Sequence, residues 1–296
     1  MGVLKVRLGV GIGPGIGVAE FPGIVDELEA AGVDSLWLSE IVYGDLVEPL
    51  IGMTYALART TRLKVGTGVA VLPGRHPVLV AKQLASLAAL APRRVLPVFG
   101  LRPARRPEAA AFPVPGRRAE VFDESLQLLR LLLSQDNVSF AGKFFSVEDA
   151  SVGPRPAKPL DIWLGGSAPE GLRRVGRYGD GWLGSFLTPA EAGAARRQIE
   201  EAAAAAGREI EDDHYGISLA VGELTPDFAR AVERRRPGAN PAELAPATWA
   251  DARRMIGAYV DAGLSKFVVR PALPASGDGI EQFVAEFAEQ MRPLEN

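Results

Sequence analysis

This sequence predicts an α/β chain folded as a (β/α)8 barrel, on three observations. Short apolar runs rich in β-branched residues alternate with longer segments of helical period, the pattern of βα units around a parallel sheet. Eight such pairs share 296 residues, or about 37 residues per unit, which suits a (β/α)8 barrel carrying insertions. The helical segments also bring their own start and stop residues.

In chain order the strands are expected at 4–10, 34–40, 63–71, 94–100, 161–166, 181–186, 214–222 and 266–272. The first helix, 20–31, stops at Gly32, a residue free to adopt the left-handed C-cap conformation. The second begins at Glu48-Pro49, with proline where its missing N–H costs nothing, and the third runs over 77–91 until Pro92. The fourth, 117–134, turns Leu126, Leu129, Leu132 and Leu133 to one side. Later helices are expected at 169–178, 189–206, 249–262 and 279–291.

Two connections exceed what a barrel needs, one after the fourth strand (101–160) and one after the seventh (223–248). The first holds a basic Pro-rich loop, the fourth helix and a hairpin over 138–147 turning at Ala141-Gly142-Lys143. The second holds an extra helix, 227–235, and a Pro-rich stretch. Loops at strand C-terminal ends are where barrels place specificity, so both are candidate lids; a solvated elaboration or a dimer contact is the plainer alternative. Residues 1–296 read as a single domain.

Composition narrows the chemistry. Thirty-three Lys+Arg against 36 Asp+Glu leave a net charge of −3, which implies no nucleic-acid partner, and 47% hydrophobic with 23% charged residues lies far from the composition of disorder. Zero cysteines exclude disulfides, thiolate metal sites and a cysteine nucleophile. No apolar run reaches the ~18 residues of a membrane span, and the N-terminus lacks a leader pattern, so a soluble cytoplasmic protein is expected. Six lysines against 27 arginines read as codon bias.

Most familiar motifs fail. The run Gly9-Val-Gly-Ile-Gly-Pro-Gly-Ile-Gly17 follows a strand, but its glycines miss the dinucleotide spacing and Pro14 removes a donor. Gly142-Lys143 is followed by Phe144, so no P-loop exists. His76 and His214, the only histidines, lie in different units and make no i, i+4 zinc pair; no metal is expected. His76 stands just before Pro77 and reads as a helix-start residue. Gly165-Gly166-Ser167-Ala168-Pro169 lacks the last glycine of a hydrolase elbow.

What survives lies at strand C-terminal ends. The turn 164–169 ends a strand and opens a helix, so the N–H groups of Gly166, Ser167 and Ala168 can converge on an anion, or merely form a tight turn. Ser39-Glu40 ends the second strand, Gly68 interrupts a β-branched third strand, and Arg270 ends the eighth, a usual place for an anion contact.

Several stretches carry a family resemblance: Leu63-Lys-Val-Gly-Thr-Gly-Val69 running into His76-Pro-Val-Leu-Val-Ala-Lys82, then Gly116-Arg-Arg-Ala-Glu-Val-Phe-Asp-Glu124, and Asp161-Ile-Trp-Leu-Gly-Gly-Ser167 with Tyr178-Gly-Asp-Gly-Trp182. In order and spacing, over nearly the whole chain, they resemble the luciferase-like monooxygenases, TIM-barrel enzymes that use FMN or the deazaflavin F420. The resemblance implies that Gly165, Gly166 and Ser167 hold the cofactor phosphate. It implies that Gly68-Val69 is a cis peptide beneath the ring, with Ser39 and Glu40 at the neighbouring strand end. Where relatives follow that acid with histidine, this chain has Ile41, and after the fourth strand it reads Phe99-Gly-Leu-Arg-Pro-Ala-Arg-Arg-Pro-Glu108. Both places depart from the pattern that supplies the usual proton donor; Glu40, a carboxylate at a partly desolvated strand end where the pKa can rise, is the candidate general acid or base.

The cluster of Arg102, Arg105 and Arg106 is read as meeting an anionic substrate or the acidic tail of the deazaflavin, or as a solvated loop paired with Glu108. Arg102 and Arg270 are the candidate substrate contacts. The expected function is hydride transfer between F420 and a small organic substrate, in a homodimer. An FMN-dependent monooxygenase and a non-catalytic (deaza)flavin-binding paralogue are the alternatives.

Overall fold

The computed structural model describes residues 4–156, 158–272 and 278–296; residues 1–3 of the segment read for a leader lie outside the described residues. The strands are β1 (Arg7–Ile12), β2 (Ser35–Leu38), β3 (Lys64–Thr67), β4 (Ala70–Val71), β5 (Val95–Leu96), β6 (Val98–Gly100), β7 (Val138–Ala141), β8 (Ser146–Ala150), β9 (Trp163–Gly165), β10 (Gly181–Ser185), β11 (Tyr215–Val221) and β12 (Lys266–Pro271). The helices are α1 (Phe21–Ala30), α2 (Pro49–Arg59), α3 (Pro77–Leu90), α4 (Arg118–Ser134), α5 (Pro169–Tyr178), α6 (Pro189–Ala205), α7 (Pro226–Arg235), α8 (Trp249–Asp261) and α9 (Asp278–Gln290).

Ten strands form one sheet in the order β4-β6-β9-β10-β11-β12-β1-β2-β3-β5, and β7 and β8 pair separately as the expected hairpin. Every pairing in the large sheet is parallel. Its number of strands exceeds the eight expected because two of those are divided. The 63–71 strand breaks at Gly68-Val69 into β3 and β4. The 94–100 strand breaks at Pro97, which has no N–H for the ladder, into β5 and β6. Because β3 pairs with β5 while β4 pairs with β6, the parallel sheet curls.

The curl creates two apolar regions. Helices cover the outside of the sheet, burying Leu8, Val10, Leu36, Leu38, Val65, Ile217, Leu219 and Val269 in the larger core. Inside, Trp37, Val98, Trp163, Leu183 and Val268 pack together with Val69 and Leu96 against them. Indoles of this size need room, and glycines supply it: a Cβ on Gly9 would lie 2.6 Å from Trp37 Nε1, and one on Gly11 3.0 Å from Val268 Cγ1. The first glycines of the Gly9–Gly17 run are therefore strand residues of β1, chosen for packing.

Helix starts follow local chemistry. Glu48 accepts the Ile51 N–H (2.9 Å) before α2, and His76 Nδ1 accepts the Val78 N–H (3.3 Å) before α3, the helix-start role expected of it. Thr188 and Glu191 form a capping box at α6. Gly32 ends α1 at φ +66°.

At the N-terminal end of the sheet Asp34 is held between Lys64 (2.6 Å) and Lys266 (2.7 Å). Burial alone raises the Asp34 pKa, but the two ammonium groups more than offset it and hold the carboxyl at about 2. This cluster lies opposite the strand ends that bear the candidate site, and its role is structural.

Candidate active site

The turn from β9 into α5 is shaped from three sides. The indole N–H of Trp182 on β10 donates to the Gly166 carbonyl (2.8 Å), fixing the turn from its neighbour strand. Gly166 takes φ +112°, a left-handed conformation that favours glycine. Ala168 is the N-cap of α5, and no side chain caps it, so the first N–H groups of the helix have no side-chain acceptor. Gly166, Ser167 and Ala168 are exposed. Such a turn presents convergent donors and the positive end of a helix dipole to an anion.

The Gly68–Val69 peptide is cis, as the resemblance implied. Val69 is lodged between two glycines: a Cβ on Gly165 would lie 2.9 Å from Val69 Cγ1, and one on Gly100 2.6 Å from Val69 Cγ2. The Gly68 N–H donates to the Leu38 carbonyl (2.8 Å), tying this segment to the end of β2. Gly68 is exposed, Val69 and Ser39 half-buried. Gly68, Val69 and Gly165 thus form one continuous floor, with Gly166 and Ser167 at its edge and Ser39 following Leu38 on the strand beside it.

Glu40 is buried, its side chain 3% exposed, and both oxygens are engaged. Oε1 accepts from Arg75 (2.5 Å), and Oε2 accepts the Val71 N–H (2.7 Å) and a second Arg75 contact (3.2 Å). Arg75 also donates to the Val71 carbonyl (2.5 Å), and its guanidinium lies 5.1 Å from the Phe112 ring centre. Glu40 therefore ties the end of β2 to the segment after β4. Arg75 escaped the sequence reading, although it directly precedes His76–Lys82, a stretch that carried the resemblance.

Glu108 occupies a short 3-10 turn (Arg106–Ala111) and is fully buried. One oxygen accepts the N–H groups of Val42 (3.1 Å) and Tyr43 (3.3 Å), while Oε2 has no partner among the described residues. The reading that paired the basic loop with Glu108 is thereby corrected: Glu108 turns inward to hold the loop after β2. Arg105 donates to the Tyr43 carbonyl (2.9 Å). Arg102 is exposed just beyond β6, and Arg270 lies near the C-terminal end of β12, which runs between β11 and β1.

These features meet the needs of a planar, phosphorylated cofactor. Gly100 and Gly165 make room for Val69 beside the exposed Gly68, and an uncapped helix start next to them offers donors for a phosphate. Gly165, Gly166 and Ser167 would hold the phosphate, and Gly68 and Val69 would support the ring.

A curled parallel sheet flanked by helices, with an uncapped helix start at a strand C-terminal end, is a frame shared by α/β proteins that bind phosphorylated ligands. The chain belongs to the luciferase-like monooxygenase family, whose profile matches residues 2–258. It is 30% identical over 227 residues to an F420-dependent glucose-6-phosphate dehydrogenase of Beutenbergia cavernae, covering 70% of this chain and 65% of that one. The chain spans 49% and 65% of the lengths of the first two curated relatives it matches. An F420-dependent secondary alcohol dehydrogenase in complex with an F420-acetone adduct shares the fold at a TM-score of 0.79 and 19% identity, over 99% of this chain and 100% of that one. The oxygenating constituent of 3,6-diketocamphane monooxygenase from Pseudomonas putida, in complex with FMN, does so at 0.74 and 15%, over 99% of each chain.

Proposed function

We propose that this chain is an F420-dependent oxidoreductase that moves a hydride between the deazaflavin and a small organic substrate at the mouth of a closed (β/α)8 barrel. The observation that carries the reading is the joint floor of Gly68, Val69 and Gly165 running into the uncapped Gly166–Ala168 turn. Barrel closure is supported by the continuity of β3 with β4 and of β5 with β6, which leaves neither end of the strand order unpaired. In that barrel, 101–160 and 223–248 are insertions after the fourth and seventh strands.

The bound deazaflavin supplies the hydride chemistry. The chain positions it: the Gly166–Ala168 donors hold its phosphate, Val69 backs the ring, and Ser39 flanks it. Glu40 stands at the same rim as the candidate general acid or base, anchored by Arg75, while Arg270 and Arg102 contact the substrate. We further propose a cytoplasmic homodimer. The exposed apolar residues Ile51 (65%) on α2 and Leu79 (65%) and Leu90 (82%) on α3 offer a face for a second copy, the zero cysteines require no oxidising compartment, and no described helix is long and apolar enough to cross a membrane.

Turnover separates this reading from its rivals. A panel of secondary alcohols and sugar phosphates is offered with oxidised F420, following loss of the deazaflavin absorbance. The expected result is reduction of F420 by at least one substrate and a loss of about 100-fold or more in kcat for Glu40→Gln, the scale of a general acid–base contribution. Unchanged kcat in Glu40→Gln removes Glu40 from proton transfer. Cofactor binding without turnover of any substrate supports the non-catalytic paralogue, which Ile41 and the paired state of Glu40 favour.

A further inference from the structure

Two stretches that carry the family resemblance, Asp161–Ser167 and Tyr178–Trp182, lie side by side, because β9 pairs with β10 in the register Gly181 to Trp163, Trp182 to Leu164 and Leu183 to Gly165. The cofactor reading above uses the end of the first stretch, at Gly165, Gly166 and Ser167, and leaves the indole of the second without a part. Trp182 is fully buried on the helix-covered side of the sheet, in the same core as Leu164 and Ile217. Packing alone would account for its ring but not for where its polar edge goes. The indole N–H donates to the Gly166 carbonyl (2.8 Å), two residues beyond the register partner of Trp182. Gly184 makes that reach possible. A Cβ there would lie 2.6 Å from Trp182 Cζ2 and 2.7 Å from Cη2, so the ring lies across a position that glycine leaves open.

Peptide planarity turns this contact into a directional one. In a trans peptide the C=O of one residue and the N–H of the next point in opposite directions, and the Gly166–Ser167 bond is trans. A carbonyl drawn toward an indole on the outer side of the sheet therefore turns the Ser167 N–H the other way, off the helix layer and toward the mouth. That N–H has no acceptor among the described residues, and Ser167 is exposed. Gly166, at φ +112°, is the residue with the widest choice of backbone conformation, so the turn needs something outside itself to select one. The indole N–H supplies that selection.

We infer that Trp182 is a positioning residue for the cofactor phosphate: by fixing the Gly166 carbonyl, its N–H aims the Ser167 N–H at the anion. The inference rests on the reading of the 165–167 turn as the phosphate cradle. It gives Trp182 and Gly184, neither of which touches the ligand, a part in binding beyond packing. A donor that is already aimed loses little ordering entropy when the ligand arrives, and a preorganised dipole needs no rearrangement to meet the charge.

The test separates aiming from packing. Trp182→Phe keeps an aromatic ring and deletes the N–H; benzothienylalanine at the same position, in which sulfur replaces the indole N–H, keeps the bicyclic shape as well and guards against a folding defect. Each variant is titrated with F420 and with the phosphate-free chromophore of F420, the same deazaflavin on its ribityl chain. F420 affinity is expected to fall by about tenfold in both variants while chromophore affinity stays within about twofold, since only the phosphate meets the Ser167 N–H. An F420 affinity within about twofold of the parent in the isostere variant overturns the inference. An equal loss for the two ligands also overturns it, because the indole would then act through packing. A second measurement needs no cofactor: isotope-labelled serine amides are followed by NMR during titration with inorganic phosphate, with Ser167→Ala assigning the Ser167 signal. A Ser167 amide shift in the parent that is lost in the isostere variant sustains the inference even in a chain that fails to bind F420, where the functional reading alone falls. No such shift in the parent overturns it.

Discussion

Gly166→Val is expected to weaken F420 binding by about 100-fold while leaving the chain folded. Two costs combine. The φ of +112° at Gly166 is a conformation that a β-branched residue resists, at roughly 1 to 3 kcal/mol. If the turn relaxes to avoid that strain, the Gly166, Ser167 and Ala168 donors no longer converge, and a charge-assisted hydrogen bond is worth about 1.5 to 3 kcal/mol. A loss near 2.7 kcal/mol is about 100-fold in affinity. A Cβ at Gly166 meets nothing within 4 Å, so the variant creates no clash in the core. Gly171→Ala is the matched control, since its Cβ is also in open space but its φ is ordinary; its F420 affinity is expected to match that of the parent. Equal affinity for Gly166→Val would mean that the phosphate does not rest on this turn.

Arg75→Ala is expected to destabilise the chain by about 3 to 5 kcal/mol, the cost of leaving a buried charge without its partner. The Glu40 side chain is 3% exposed and keeps only the Val71 N–H once the guanidinium is gone. The cation–π contact with Phe112, worth roughly 0.5 to 2 kcal/mol, is lost at the same time. In a thermal melt this reads as a fall of about 10 °C. Glu40→Gln combined with Arg75→Ala is expected to recover part of the loss, because the orphaned charge is gone. A single variant that melts within about 1 °C of the parent would show that the pair contributes little to stability.

Much of this architecture was legible because its signals are local. Proline and capping residues mark helix starts, so α5 begins at Pro169 and α3 at Pro77 as expected. The strands were legible as apolar runs, but not their interruptions. Pro97 breaks the fourth expected strand for want of an N–H, a loss readable in the sequence and overlooked. The break at Gly68-Val69 was signalled by an isolated glycine in a β-branched run, but its cis geometry only by the family resemblance. Charge partners were the least legible part. Nothing in Ser39-Glu40 reveals that Arg75, 35 residues on, closes over the carboxylate, and Glu108 looked like a loop acid beside three arginines until the chain turned it inward.

The central claim is that the floor at Gly68, Val69 and Gly165 and the turn beside it accept a deazaflavin. The most direct measurement is a parallel titration of the purified apo-chain with F420 and with FMN, following the fluorescence of each. Binding of F420 at micromolar concentration or below, with FMN weaker by about tenfold or more, is the predicted result. Binding of FMN alone would transfer the site to a flavin monooxygenase, and binding of neither would contradict the assignment of the site itself.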